Sequence, residues 1–310
     1  MGRQQTGAGW AMTGRVVLVT GATSGIGRAT ATALAAAGAT VLVHARTKAR
    51  AQSAVEEFNR ARGSASESAG ASALFVPVVG DLGSVAGVRD VAAEVRRAAP
   101  GGLHVMINNA GAAFPQRGLS QDGVERTIAV NHIAVAALTR ELLGLLRDGA
   151  ATAGRPSRVV NVSSSLESRG NPHLADWSYP DRFSQFQAYC DAKLINLAYS
   201  YVLAAAVAGS GVTVNCADPG SVATSFGRNG GGLFRVIQTL GRPLLATPEK
   251  GARTSIRLAA DPALDAESGN YYRAGEPYAS SAASRDAAFQ ELVGRRTAAM
   301  LGGAPAEELR

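Results

Sequence analysis

A short apolar run, Val16 to Thr20, passes through Gly21-Ala22-Thr23-Ser24-Gly25-Ile26-Gly27 into a helical stretch, Gly25 to Ala37, that Gly38 ends. Glycines at these positions let the backbone turn sharply and come close to a ligand. The start of the helix adds unpaired N–H groups and the positive end of its dipole. A pyrophosphate is the group that such a strand–turn–helix unit suits. The spacing is G-x-x-x-G-x-G, not the G-x-G-x-x-G of the general dinucleotide fingerprint. Gly21, Thr23, Ser24, Gly25, Ile26 and Gly27 are the predicted cradle residues.

The same alternation continues along the chain. Thr40 to His44, Leu74 to Val79, Leu103 to Ile107, Arg158 to Val162 and Val212 to Cys216 read as strands. Ala49 to Arg62, Val85 to Ala98, Gly123 to Arg147 and Gln185 to Ala208 read as helices. The strands are continuous apolar runs, the mark of strands covered on both faces, and their alternation with helices implies parallel pairing and right-handed crossovers. The expected fold class is α/β, a Rossmann-type doubly wound parallel sheet of about seven strands in the order 3-2-1-4-5-6-7 with helices on both faces. No linker or repeat divides it, so residues 13–310 are expected to form a single domain. Within it, a substrate flap is expected at about 221–246 and a C-terminal helix at about 284–302. Gly63 to Ala73 is low in complexity and reads as a surface loop, and Glu167 to Ser184 is a long connection rich in Pro, Asp and aromatics.

Composition removes several classes. The 310 residues carry 31 Lys+Arg against 24 Asp+Glu, a formal net charge of +7. The basic residues are scattered, with no stripe of interleaved aromatics, so no nucleic-acid partner is expected. Two isolated cysteines, Cys190 and Cys216, and four unclustered histidines point to no metal site, and the cysteine usage suits a reducing, cytoplasmic compartment. Residues 1–12 are polar and glycine-rich and are expected to be a disordered leader, although Met1 to Thr6 fits the loose myristoylation pattern. No later stretch reads as a bilayer span, so no stable membrane anchor is expected.

The chemistry is read from the turns. Where an acid would hold the ribose 2′-hydroxyl, the second strand ends Val43-His44-Ala45-Arg46. Arg46 there accommodates a 2′-phosphate, so NADP(H) is expected over NAD(H). Asp81 and Leu82 follow the third strand and are expected near the adenine; Asn109, Ala110 and Gly111 follow the fourth and should lie beside the cofactor. Pro219, Gly220, Val222 and Thr224 follow the sixth and should flank the nicotinamide. Tyr189 and Lys193, one helical turn apart, share a helix face, where an ammonium would lower the phenol's pKa for acid–base work. Ser164 at a strand end can meet a substrate oxygen, with Ser163 the fallback. Asn131 sits inside a helical stretch, where Asn often bends the helix.

Taken together, the T-G-x-x-x-G-x-G turn, N-N-A-G, the helix Asn, the strand-end Ser, Y-x-x-x-K and P-G resemble the short-chain dehydrogenase/reductase family in content and order, over roughly Gly14 to Leu301. The resemblance implies a catalytic set: Tyr189 as general acid/base, Lys193 lowering its pKa and holding the nicotinamide ribose, Ser164 orienting the substrate oxygen, and Asn131 helping to hold a relay water. Arg46, the long stretch from Ser164 to Tyr189 and the tail Ser268-Gly269-Asn270-Tyr271-Tyr272 are similar to the retinol-dehydrogenase-like branch. That likeness implies an NADP(H)-dependent oxidoreductase interconverting an alcohol and a ketone or aldehyde on a small lipophilic molecule. The Ala-, Gly- and Arg-rich composition suits a GC-rich bacterial source, where a ketoreductase of specialised metabolism is one expected role. An NADP-binding sensor and a non-redox enzyme of the same fold are the alternatives, and a homo-oligomer is left open as a protein partner.

Overall fold

The computed structural model describes residues 10–63, 75–179, 182–222 and 246–303. Seven parallel strands run β1 Val16–Val19, β2 Thr40–Ala45, β3 Phe75–Val79, β4 Val105–Asn108, β5 Ser157–Val162, β6 Val212–Asp218 and β7 Asn270–Arg273. A two-residue strand, β8 Glu276–Pro277, pairs antiparallel with β7. Among the described residues the order is β3-β2-β1-β4-β5-β6-β7-β8, the expected doubly wound arrangement with one antiparallel strand added at its edge. Both edge strands carry a proline, Pro77 on β3 and Pro277 on β8. A residue without an N–H at a sheet edge discourages further strand pairing.

The central strands are buried on both sides because each face carries its own apolar layer. One joins Leu34, Phe58, Ile256 and Leu264 from α1 (Gly25–Ala36), α2 (Lys48–Gly63), α7 (Pro248–Ala260) and the turn after it. The other joins Val91, Leu142, Ile195 and Val293 from α3 (Val85–Ala98), α5 (Ala134–Ala153), α6 (Gln185–Ala206) and α9 (Ala287–Met300). Helix starts are set by side-chain caps. Ser84, Ser184, Thr247 and Asp286 each accept from a backbone N–H three residues on, which satisfies donors the helix itself leaves open.

Four expectations change. The long helix expected over Gly123 to Arg147 is α4 (Arg126–Ile128), a π-helical turn (Ala129–Ile133) and α5. The C-terminal helix is α8 (Ala282–Arg285) and α9, divided at Asp286, which leaves the helical conformation to cap α9. The expected leader is ordered at its end, where Met12 is 3% exposed and its N–H donates to Ala37 O at 2.8 Å. Contrary to the expectation of no such stretch, Arg126–Ala153 is long and apolar enough to cross a membrane by length and composition. It is mostly buried inside the fold, as a core helix between two layers is.

Candidate functional site

The site is assembled at the C-terminal ends of β1, β4, β5 and β6. The cradle's backbone demands glycine. Gly21 and Gly25 have φ of 64° and 55°, and a Cβ on Gly27 would sit 2.5 Å from Gly21 O and collide with the Asn109 amide. Helix α1 has no acid in its first turn, and Ser24 precedes it in extended conformation without a side-chain cap bond. These features fit a pyrophosphate. Thr20 sews the cradle to the β4 turn: its Oγ1 accepts from the N–H groups of Asn109 and Ala110, both at 2.9 Å, and its carbonyl accepts from Asn109 Nδ2 at 2.8 Å.

His44 holds the cradle from the other side. Its Nδ1 accepts from the Gly21 N–H at 3.2 Å and its Nε2 lies 3.1 Å from Gly80 O. Burial lowers its pKa to about 4, so the ring is neutral and the two bonds assign the proton to Nε2. Beyond His44, Arg46, Lys48 and Arg50 are exposed at the start of α2. Arg28 pairs with Glu57 at 2.5 Å. Asp81 is exposed and accepts from the Gly83 N–H at 3.2 Å, while Leu82 is buried. Gly111 is exposed at the end of the β4 turn.

The residues expected to form the catalytic set come together. The Ser164 hydroxyl accepts from the Leu166 N–H at 3.2 Å and lies near enough to the Tyr189 phenol to lower its pKa. Ser163 points elsewhere, buried and without a partner for its hydroxyl among the described residues. Ser164 is therefore the serine at the phenol. Lys193 Nζ donates to Val162 O at 2.8 Å and lies 5.7 Å from the Tyr189 ring centroid. The expected net lowering of the phenol does not occur. Burial pushes Tyr189 above its ordinary value, and the Ser164 hydroxyl pulls back against it. The ammonium is lowered to about 8, first by burial, with Cys216 and Asp218 holding it up. Asn131 lies in the π-helical turn, its Nδ2 donating to Ala112 O at 2.6 Å and Thr127 O at 2.7 Å. It thus satisfies a helix carbonyl and fixes the chain leaving the β4 turn.

After β6, the buried Asp218 carboxylate accepts from the Gly220 N–H and the Tyr271 hydroxyl, each at 2.8 Å. Gly220 has φ 72°, which lets Pro219-Gly220 turn over the strand end. Val222 bridges to Ala246 and packs beside Gly251 and Ile26, against the cradle. Thr224 and almost all of the expected flap lie outside the described residues, as does the loop 64–74. Sequence reasoning placed the turns at Asn108 and Asp218 beside the cofactor and Thr20 at the head of the cradle, but gave no role to the side chains of Thr20, His44, Asn108, Asn161 and Asp218. Asn108 Nδ2 donates to Asn161 Oδ1, and Asn161 Nδ2 to Ser200 Oγ, both at 2.8 Å, tying β4, β5 and α6 beneath the site. Their one signal was a polar residue at the end of an apolar strand.

A family model for short chain dehydrogenases matches residues 15–230. Retinol dehydrogenase 14 of Mus musculus is 37% identical over 273 residues, covering 84% of this chain and 78% of that protein. Polyprenol dehydrogenase of Mus musculus is 37% identical over 263 residues, covering 84% and 76%. Among solved structures, the RhlG/NADP active-site complex of Pseudomonas aeruginosa matches with a TM-score of 0.67 at 26% identity, over 85% of this chain and 95% of that one. Motif order, sheet order and these likenesses agree, and the chain belongs to the short-chain dehydrogenase/reductase family, in its retinol-dehydrogenase-like branch of oxidoreductases that act on CH–OH groups with a nicotinamide cofactor.

Proposed function

We propose that this protein uses NADP(H) to interconvert an alcohol and a ketone or aldehyde on a small lipophilic molecule. The observation that carries the chemistry is Lys193 beside the Tyr189 ring, with the Ser164 hydroxyl near the phenol. Two hydroxyls that already lie close can both bond one substrate oxygen and hold it for proton transfer. Tyr189, pushed up by burial, keeps its proton at neutral pH and gives it only to an oxygen gaining negative charge. Lys193, still mostly cationic at pH 7, then faces the phenolate that is left. The Gly21–Gly27 turn would hold the nicotinamide cofactor, which when bound would supply the hydride.

Arg46, with no acid at the end of β2, supports the 2′-phosphate over the free ribose. The names of the relatives, retinol dehydrogenase and polyprenol dehydrogenase, support a lipophilic substrate. A cytoplasmic location completes the reading, and cell fractionation tests that part. The deciding experiment follows loss of reduced-nicotinamide absorbance with NADPH or NADH and lipophilic aldehydes and ketones, with Tyr189→Phe in parallel. Turnover by the parent, faster with NADPH and abolished in the variant, is the expected result. NADPH binding without turnover of any carbonyl would move the sensor or non-redox reading ahead.

A further inference from the structure

A buried carboxylate holds the turn that runs from the Lys193 end of the sheet to the cradle. Asp218 ends β6 and is 1% exposed. The residue before it, Ala217, pairs with Val162 of β5, whose carbonyl accepts from the Lys193 ammonium at 2.8 Å. On its other side Asp218 pairs with Arg273 of β7. Asp218 Oδ1 accepts from the Gly220 N–H and Oδ2 from the Tyr271 hydroxyl, each at 2.8 Å, and Arg273 Nε lies 3.5 Å from Oδ2. One oxygen thus grips the turn and the other grips the neighbouring strand. A carboxylate this deep is costly to bury unless its bonding capacity is used in this way.

The far end of the turn rests on the cradle. Gly220, at φ 72°, reverses the chain, and Ser221 O accepts from the Ala246 N–H at 2.9 Å. Val222 and Ile26 meet at Gly251, where an added Cβ would sit 2.6 Å from a Val222 methyl and 3.3 Å from the Ile26 side chain. Ile26 belongs to the first turn of α1, so residues 218–222 form a strap between the end of β6 and the phosphate-binding turn. Among the described residues, the titratable and charged groups around Asp218 and Lys193 are Tyr189 and Cys190 of α6, Cys216 of β6, Tyr271 and Arg273 of β7, and Glu167 of the turn after β5. Burial pushes both thiols up to about 12 and both phenols above their ordinary value, so these groups are neutral at pH 7. Glu167 spends its carboxylate on the Ser281 N–H at 2.8 Å and the Ser281 hydroxyl at 2.6 Å. Burial lowers Lys193 to about 8, against which Cys216 and Asp218 hold it up; with the thiol neutral, the holding charge is that of Asp218.

We propose that Asp218 is a positioning residue: by gripping Gly220 and Tyr271 it fixes the 218–222 strap, which keeps the phosphate-binding turn and the Tyr189–Lys193 pair at one set distance for hydride and proton transfer. The inference rests on the oxidoreductase reading for the reaction that this distance serves. Asp218 acts through the strap and through Lys193, not on the substrate itself.

The test compares the parent with Asp218→Asn, which removes the charge and keeps an acceptor oxygen, and Tyr271→Phe, which keeps the charge and removes one grip. Three quantities are measured: the NADPH Kd in a fluorescence titration, amide hydrogen exchange in 218–222, and kcat for decanal reduction against pH. In both variants exchange is expected to quicken about tenfold and the NADPH Kd to rise about threefold or more, the size of one lost hydrogen bond. In Asp218→Asn the downward bend of the reduction rate near pH 8 should also move to lower pH, by about half a unit or more, because Lys193 loses the charge that holds it up. In Tyr271→Phe the bend should stay. An unmoved bend in Asp218→Asn, or a Kd or exchange rate within twofold of the parent in Tyr271→Phe, overturns the proposal. Should Asp218→Asn not fold, Tyr271→Phe decides by Kd and exchange. If the parent binds NADPH but turns over no decanal, the oxidoreductase reading is what fails. The strap is then decided by the same Kd and exchange: the expected rises support it, and unchanged values overturn it.

Discussion

Tyr189 and Lys193 respond to the same burial in opposite directions, because a low dielectric disfavours whichever form is charged. The phenol is pushed up and the ammonium is lowered to about 8, so at neutral pH the pair keeps its proton on the phenol and its positive charge beside it. Tyr189→Phe is expected to lower kcat about 10²–10⁴-fold, the range for losing a general acid, with NADPH affinity unchanged in a fluorescence titration. Lys193 loses its charge as pH rises through about 8. The rate of reduction should therefore bend downward near that pH in a pH profile, and a flat profile to pH 9 would count against the lysine's role. Arg46 makes a separate prediction. Removing one charge-assisted phosphate contact is worth about 1.5–3 kcal/mol, so Arg46→Asp should move the NADPH-to-NADH preference by about 10–100-fold toward NADH in kcat/KM.

The strand–turn–helix element is held from three sides, by Thr20, Asn109 and His44, and it has no room for a side chain at Gly27. Gly27→Ala must displace the Asn109 amide from Thr20 O or open the turn at Gly21. We expect a loss of about 1–3 kcal/mol in stability, the range for inserting a methyl into a packed site, and weaker NADPH binding; calorimetry and a binding titration measure the two. The π-helical turn between α4 and α5 is the second element bent for the site. It places Asn131 where a regular helix would carry its hydrogen bonds straight through.

Across the whole molecule, neutral histidines link the fold to pH. His44 is lowered to about 4 and His132 to about 3, each by burial. A histidine depressed in the folded state adds stability above its unfolded value of about 6.5, and loses it as pH falls toward the folded value. Each should contribute a slope of about 1.4 kcal/mol per pH unit between pH 6 and 4. Glu125, Glu167 and Asp191 are raised by burial and act in the opposite sense, so the histidine effect is best isolated by difference. His132→Leu removes one titration and leaves the Thr297 hydroxyl its own bond to Val293 O at 2.8 Å. Its unfolding free energy should fall less steeply with acid than the parent's, by about that slope; equal slopes in denaturant titrations at pH 6 and pH 4 would refute the assignment.

The order of the sheet, the cradle and the positions of Asn131, Ser164, Tyr189 and Lys193 were legible in the sequence. They rest on local rules: glycines where the backbone must turn, apolar runs where both faces are covered, and a four-residue spacing that puts two side chains on one helix face. The proton on His44 Nε2, the carboxylates of Asp191 and Asp218 inside the core, and the upward push on the Tyr189 phenol were not legible. Each depends on which groups distant parts of the chain bring within hydrogen-bonding distance, and on how completely they exclude water. Local sequence determined where the chain turns and which faces it hides; only the packed tertiary structure decided which polar atoms meet and which protons they keep, because desolvation and pairing are properties of the assembled interior.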